Sequence, residues 1–194
     1  MSGEDATTRH RIVEEAGKLF ERYGYGKTGV GDIARCCGMS PANLYRYFTG
    51  KQQIGEEVVR CWMHETEAGM VEASATGPAE ARIRAAIHAA SARVLEEMRE
   101  GVHMIELALM IQDSDSGVLA AHVAWTHERV AAMLAEGHAS GELVVPDPQA
   151  TAPALVDCAR AFLMPTALAA FEPANVPGRI DAALDLAFRG LRAG

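Results

Sequence analysis

The chain has 194 residues, 49% of them hydrophobic and 23% charged, with a formal net charge of −8. This composition excludes a disordered chain and gives enough length for one domain or two small ones. The longest apolar stretch, 154–171, is interrupted by Asp157 and Arg160, and no basic head followed by an apolar run opens the sequence, so neither a membrane span nor a secretory signal is expected and the expected location is the cytoplasm.

Apolar residues recur at helical spacing almost throughout, with no convincing strand-type alternation. Ile12, Ala16, Leu19, Phe20 and Tyr23 lie on one stripe, which predicts a first helix over 7–23 stopped by Gly24 and Gly26. Val30, Ile33, Ala34 and Cys37 form a second, short apolar face, ended by Gly38. A third short helix starts at Pro41, because Ser40 can cap the free amides and proline needs no N–H at the first helical position. Thr49-Gly50 ends it, and a long helix over 51–73 follows. Beyond the Gly77-Pro78 break, further helices are expected at 79–99, 102–112, 116–139, 149–172 and 178–192, separated by Gly101, Asp113–Ser116, Gly141, Pro146–Pro148 and Pro173–Pro177. Pro165 is expected to kink the 149–172 helix.

The fold class is therefore all-α, with a three-helix N-terminal unit and a larger helical C-terminal domain. The expected division is 1–50, a connecting long helix at 51–77, and 78–194. Charge divides within the connecting helix. Residues 1–62 hold nine Lys+Arg and eight Asp+Glu, a net of +1, while residues 63–194 hold nine and 18, a net of −9. Between Lys27 and Lys51, four basic residues face one acidic residue, which places any polyanion partner at the N-terminal end.

Two short helices joined at Gly38-Met39-Ser40 have the form of a helix-turn-helix, whose second helix enters the major groove. Leu44 and Phe48 share one face and can pin that helix to the other two, leaving Ala42, Asn43, Arg46 and Tyr47, with Tyr45 at the margin, to point elsewhere. Asparagine can pair bidentately with adenine and alanine can touch a thymine methyl, while tyrosine hydroxyls and Lys51 suit phosphate oxygens.

The segment resembles the DNA-binding domain of the TetR (tetracycline repressor) family of transcriptional regulators. The resemblance covers about residues 7–60. It runs from Phe20 and Gly24-Tyr25 through Thr28, Val30 and Asp32-Ile33-Ala34, then Cys37-Gly38-Met39-Ser40, then Leu44 to Phe48 and Lys51. Cys37 and Met39 depart from the family's Ala and Val but keep apolar volume, and Gly29 replaces a usual Ser or Thr. With the resemblance, the residues assigned to DNA are Lys27, Thr28, Gly29, Ser40, Pro41, Ala42, Asn43, Tyr45, Arg46, Tyr47 and Lys51. It further implies a homodimer on double-stranded, palindromic operator DNA, paired through the helices at 149–172 and 178–192, and a repressor released by a small-molecule effector. Leu155, Ala159, Phe162, Thr166 and Ala170, with Ile180, Leu184, Ala187, Phe188 and Leu191, are the apolar faces expected at that pairing. The alternative is an effector-independent DNA-binding dimer governed by a protein partner or by redox state.

The effector pocket is expected around His103, Met104, Leu107, Met110, His122, Trp125, Thr126 and Phe162, an apolar lining with a few polar anchors. The −9 of this region favours a neutral or cationic ligand. Other signals fail on context. Gly24 to Gly29 spells G-x-G-x-x-G, but a helical stripe precedes it where a dinucleotide fold needs a strand, and Glu21 stands where a P-loop needs glycine. Cys36, Cys37, Cys61 and Cys158 lack disulfide-scaffold or zinc spacing, and the seven histidines show no paired-ligand pattern. No nucleophile elbow or other catalytic signature occurs, so neither an enzyme, a metal site nor a cofactor is expected.

Overall fold

The computed structural model describes residues 3–100, 103–112 and 117–192; the expected breaks at Gly101 and Asp113–Ser116 lie outside these residues. The recurrence of Ile12, Ala16 and Phe20 places all three on the buried side of helix α1 (Gly3–Tyr23). Gly24 ends α1 with φ +83°, a left-handed conformation that costs glycine nothing, and its N–H returns to the Phe20 carbonyl at 2.9 Å. Helix α2 (Val30–Cys36) starts at Gly29, whose N–H donates to the Asp32 carboxylate at 3.0 Å. Gly38, at φ +64°, turns the chain into α3 (Pro41–Leu44), where the Ser40 hydroxyl accepts the Asn43 N–H at 3.2 Å. After this come α4 (Lys51–Ala73), α5 (Ala79–Glu100), α6 (His103–Gln112), α7 (Val118–Ala139), α8 (Pro148–Ala159), α9 (Pro165–Leu168) and α10 (Val176–Phe188). Among the described residues the extended pairing is a single bridge between Leu143 and Arg192.

Contacts divide the chain into two compact units: 1–64 with 100–119, and 65–99 with 120–194. The first is built on Ile12, Phe20, Ile33, Leu44, Phe48 and Ile54, all fully or nearly fully buried, and it includes Leu107 and Ile111 of α6. The division falls within α4, at residues 64 and 65, and carries 103–112 into the first unit, whereas the sequence reading divides at 50 and 77. Sequence proximity argues for placing α6 with the later helices; its packing partners are residues far earlier in the chain. Where α4 meets α6, Gly55 leaves no room for a side chain, since a Cβ there would sit 3.0 Å from Tyr25 and 3.2 Å from Leu107.

The second unit gathers Met70, Ile83, Ile87, Val130, Met133, Leu134, Leu155, Phe162, Ile180, Leu184 and Phe188. The free amides of Ala79 and Glu80 at the start of α5 donate to the Glu142 carboxylate at 2.7 and 2.9 Å, a helix cap supplied from more than sixty residues away. At the other end of α4 the Ser74 carbonyl accepts from Arg82 Nε at 2.9 Å and the Ser74 hydroxyl accepts from Arg129 at 3.3 Å, cations placed at a helix C-terminus where the dipole favours them.

Two sequence expectations change here. The helix expected over 149–172 is not continuous: α8 ends at Ala159, a 3-10 turn covers Arg160–Phe162, and Pro165 begins α9 after Met164 at φ −105°, ψ 118°. Proline forces its predecessor out of the helical region and lacks the N–H that would continue the ladder, so it starts a helix rather than bending one. Similarly, Leu155, Ala159, Phe162, Ile180, Leu184 and Phe188 are buried within the chain's own core, where α8 packs on α10. Ala187 and Leu191 are half-buried against the same core, while Thr166 and Ala170 are exposed, so most of the apolar side chains expected at a dimer seam are used inside the subunit.

Candidate nucleic-acid interface

A four-residue helix is too short to persist on its own propensity, so α3 is positioned by its anchors. Leu44 is 0% exposed and Phe48 1%. Burying such side chains is worth about 1.5–3 kcal/mol each. With them inward, Ser40, Pro41, Ala42, Tyr45 and Arg46 are exposed, Tyr45 at 54%, and Asn43 and Tyr47 are half-buried at the flank. The outward side thus offers a guanidinium, a phenol, an amide and a methyl-sized step, which suits hydrogen bonding to base edges and phosphates. Lys27 is exposed in the turn before α2.

Besides Ser40, which caps α3, three of the residues assigned to DNA have internal work. Thr28 is 3% exposed and its hydroxyl donates to the Gly24 carbonyl at 2.9 Å. Gly29 forms the α2 cap. The Lys51 ammonium donates to the Tyr25 carbonyl at 3.0 Å and lies 4.2 Å over the Tyr25 ring, a cation–π contact that ties the start of α4 to the turn after α1. Tyr25 also meets Phe20 at 5.1 Å between ring centres, and burial, aided by the charge of Glu56, pushes its phenol above the ordinary value. Sequence reasoning passed over Arg9 entirely. Its guanidinium donates to the Tyr47 carbonyl at 2.7 Å and to Glu57 of α4 at 2.8 Å, and sits 4.1 Å over the Phe48 ring. A single arginine on an amphipathic helix gives no sequence signal of such a role; its position beside the apolar stripe is the available hint.

The expected effector residues are distributed between the two units. His103, Met104, Leu107 and Met110 belong to the first: Met104 and Leu107 are buried in its core, Met110 is 47% exposed, and His103 lies 3.3 Å from Glu106. His122, Trp125, Thr126 and Phe162 belong to the second. There, Glu67 of α4 and His122 approach to 2.9 Å, the His122 and Trp125 rings stack with centres 6.5 Å apart, and the Thr126 hydroxyl donates to the His122 carbonyl at 2.9 Å. Phe162 packs against Phe171 at 5.5 Å. An open groove of about 410 Å³ lies between α4 and α5, floored by Gly69, Ala89 and Ala92, and none of the eight residues lines it. Arg93 on its wall is neutralised by Glu65 at 3.2 Å and Glu97 at 2.9 Å, so the groove presents no unbalanced charge from that cation. Cys37 is buried and its thiol is pushed up by that burial, against the opposing effect of the Arg11 charge, which leaves it protonated and unreactive. Among the described residues no group of three potential metal ligands forms, and no helix is long and apolar enough to cross a membrane.

A buried anchor pair, a capped turn and an outward polar ridge define a helix-turn-helix DNA-binding protein. A model of the bacterial regulatory proteins of the tetR family matches residues 12–58, and one of the tetracyclin repressor-like C-terminal domain matches residues 79–183. The chain belongs to the TetR family of DNA-binding transcriptional regulators, which are transcription factors rather than enzymes. It is 36% identical over 53 residues to the biofilm operon icaADBC HTH-type negative transcriptional regulator IcaR of Staphylococcus aureus (strain Newman), covering 27% of this chain and 28% of that protein. The chain thus spans about a quarter of the length of the curated relatives it matches. A TetR-family crystal structure from Rhodococcus sp. superposes with a TM-score of 0.72 at 18% identity, covering 94% of this chain and 99% of that one. The TetR-family regulator PfmR from Thermus thermophilus does so with a TM-score of 0.60 at 25% identity, covering 94% and 100%.

Proposed function

We propose that the chain is a cytoplasmic repressor that binds a palindromic operator as a homodimer and leaves it when a small molecule binds. The observation that carries this reading is the orientation of the 40–48 segment: Leu44 and Phe48 inward, Ala42, Tyr45 and Arg46 outward. Asn43 and Arg46 serve base edges, while Lys27, Ser40, Tyr45 and Tyr47 serve the backbone. A dimer places two such ridges one helical turn apart, about 34–36 Å. With the apolar stripes of α8 and α10 buried inside the subunit, the dimer seam falls to their opposite sides, where Ala154, Cys158, Ala182 and Leu186 are exposed, Leu186 at 69%.

The effector is assigned to the second unit. His122, Trp125 and Thr126 supply an aromatic face and polar anchors, and Glu67 links them to α4. Because α4 is covalently common to both units, a ligand preferring one arrangement of its C-terminal half has a continuous helix through which to act. Full release, from 1:99 to 99:1, takes a preference of ~5.5 kcal/mol.

The test uses a duplex selected by the protein from a random-sequence pool and a scrambled duplex of equal composition. Asn43→Ala should cut discrimination between them by about 1–3 kcal/mol while leaving affinity for the scrambled duplex unchanged. Undiminished discrimination would refute the base-reading assignment.

A further inference from the structure

We infer that Arg9, on α1, is the positioning residue that sets the register of the DNA-reading segment. The segment from Pro41 to Phe48 has one short helix and a turn, and its last backbone bonds run from Tyr47 N–H and Phe48 N–H to the Leu44 carbonyl. Beyond Leu44 the helical ladder stops, so the Tyr47 carbonyl takes its partner from elsewhere. Arg9 supplies it at 2.7 Å, at the C-terminal end of the segment where a cation is favoured. The same guanidinium covers the Phe48 ring at 4.1 Å and reaches Glu57 at 2.8 Å. One planar group therefore fixes α1, the reading segment and α4 to one another.

Lysine has one point charge and no plane, so it cannot stack on Phe48 while donating in two directions. Both terminal nitrogens of Arg9 are committed to protein oxygens, and its side chain is 26% exposed. It acts on DNA through the tilt of the Asn43–Tyr47 backbone rather than by touching a phosphate. Without it, the ridge samples several orientations, and affinity for the correct sequence falls with the fraction correctly posed. Attraction to any duplex, set by the number of neutralised phosphates, stays as it was. The inference rests on the 40–48 segment being the part that reads DNA.

Arg9→Met, Arg9→Lys and Glu57→Gln are compared with the wild-type protein on the selected and scrambled duplexes across a range of salt. Arg9→Met should bind the selected duplex roughly ten- to a hundredfold more weakly, the span set by a lost hydrogen bond to a charged donor. Its affinity for the scrambled duplex and the slope of log affinity against log salt should match wild type, and Arg9→Lys should not restore discrimination. Glu57→Gln should show a smaller loss of the same kind, since Arg9 keeps its bond to Tyr47. Equal losses on both duplexes with a salt slope lower by about one would make Arg9 a phosphate contact and overturn the inference. So would wild-type discrimination in Arg9→Met. If Arg9→Met does not fold, as judged by circular dichroism, Arg9→Lys carries the same two outcomes. A wild-type protein that enriches no sequence from the pool, or an Asn43→Ala that discriminates normally, defeats the DNA-reading assignment itself and is thereby told apart from a failure of Arg9.

Discussion

The Thr28 hydroxyl occupies a place that the family pattern assigns to DNA, yet it is buried and donates to the Gly24 carbonyl at 2.9 Å, with the Leu19 carbonyl at 3.4 Å. Thr28→Val keeps the shape and strands the Gly24 carbonyl at the end of α1. The loss should be about 1–2 kcal/mol in urea unfolding, with the salt slope of DNA binding unchanged. A slope lower by about one with unaltered stability would instead place the hydroxyl on a phosphate. Residue types near Thr28 and Lys51 were legible in the sequence: a turn, a hydroxyl, a cation, an aromatic. Their pairings were not, because Lys51 finds its partner 26 positions earlier, and no local rule selects Tyr25 over a phosphate.

At the scale of helices, periodicity located α1, α2, α4 and α5 well, since each has a one-sided apolar stripe and a glycine or proline stop. It failed where two stops competed. In 149–172 the stripe runs on through Phe162 while the ladder does not, because apolar spacing records burial and Pro165 governs hydrogen bonding. The inward and outward sides of 40–48 were largely legible, since alternation between buried Leu44 and Phe48 and their polar neighbours is itself a sequence pattern. Placement of α6 depends on Gly55, whose missing side chain admits Leu107 and Tyr25. Gly55→Ala adds helix propensity of about 1 kcal/mol. Overpacking against two close neighbours costs about 1–3 kcal/mol, so a net loss of up to about 2 kcal/mol is expected in urea unfolding. The loss should shrink when Leu107→Ala is combined with it, since the cavity accepts the added methyl. Strict additivity of the two changes would mean that Gly55 matters for its backbone and not for this approach.

Over the molecule, several of the acids beyond residue 62 are structural commitments. Glu142 caps α5, Glu67 meets His122, Glu97 holds Arg93, and Glu80 binds Arg84 and Arg192, each at 2.7 Å. The arginines in these pairs are already counted in the net of −9, so the pairing orders the carboxylates without removing that excess. Arg84 extends the network to Asp181 and Asp185 of α10, and Val144 N–H bonds the Leu191 carbonyl, so the start of α5 and the end of the chain are fastened together. Hydrogen bonding from Arg192 holds the Glu80 carboxyl below its ordinary 4.5, with burial opposing and Arg84 adding to it. The unfolded chain therefore takes up that proton at a higher pH than the folded one. The contribution of Glu80 to stability is complete above about 4.5 and is lost as pH falls through the lower folded value. Glu80→Gln should be less stable than wild type in urea at pH 7, and the gap between their midpoints should close as pH is lowered below about 4.5. A gap that stayed constant over that range would show that the carboxylate's charge contributes nothing beyond its hydrogen-bonding shape.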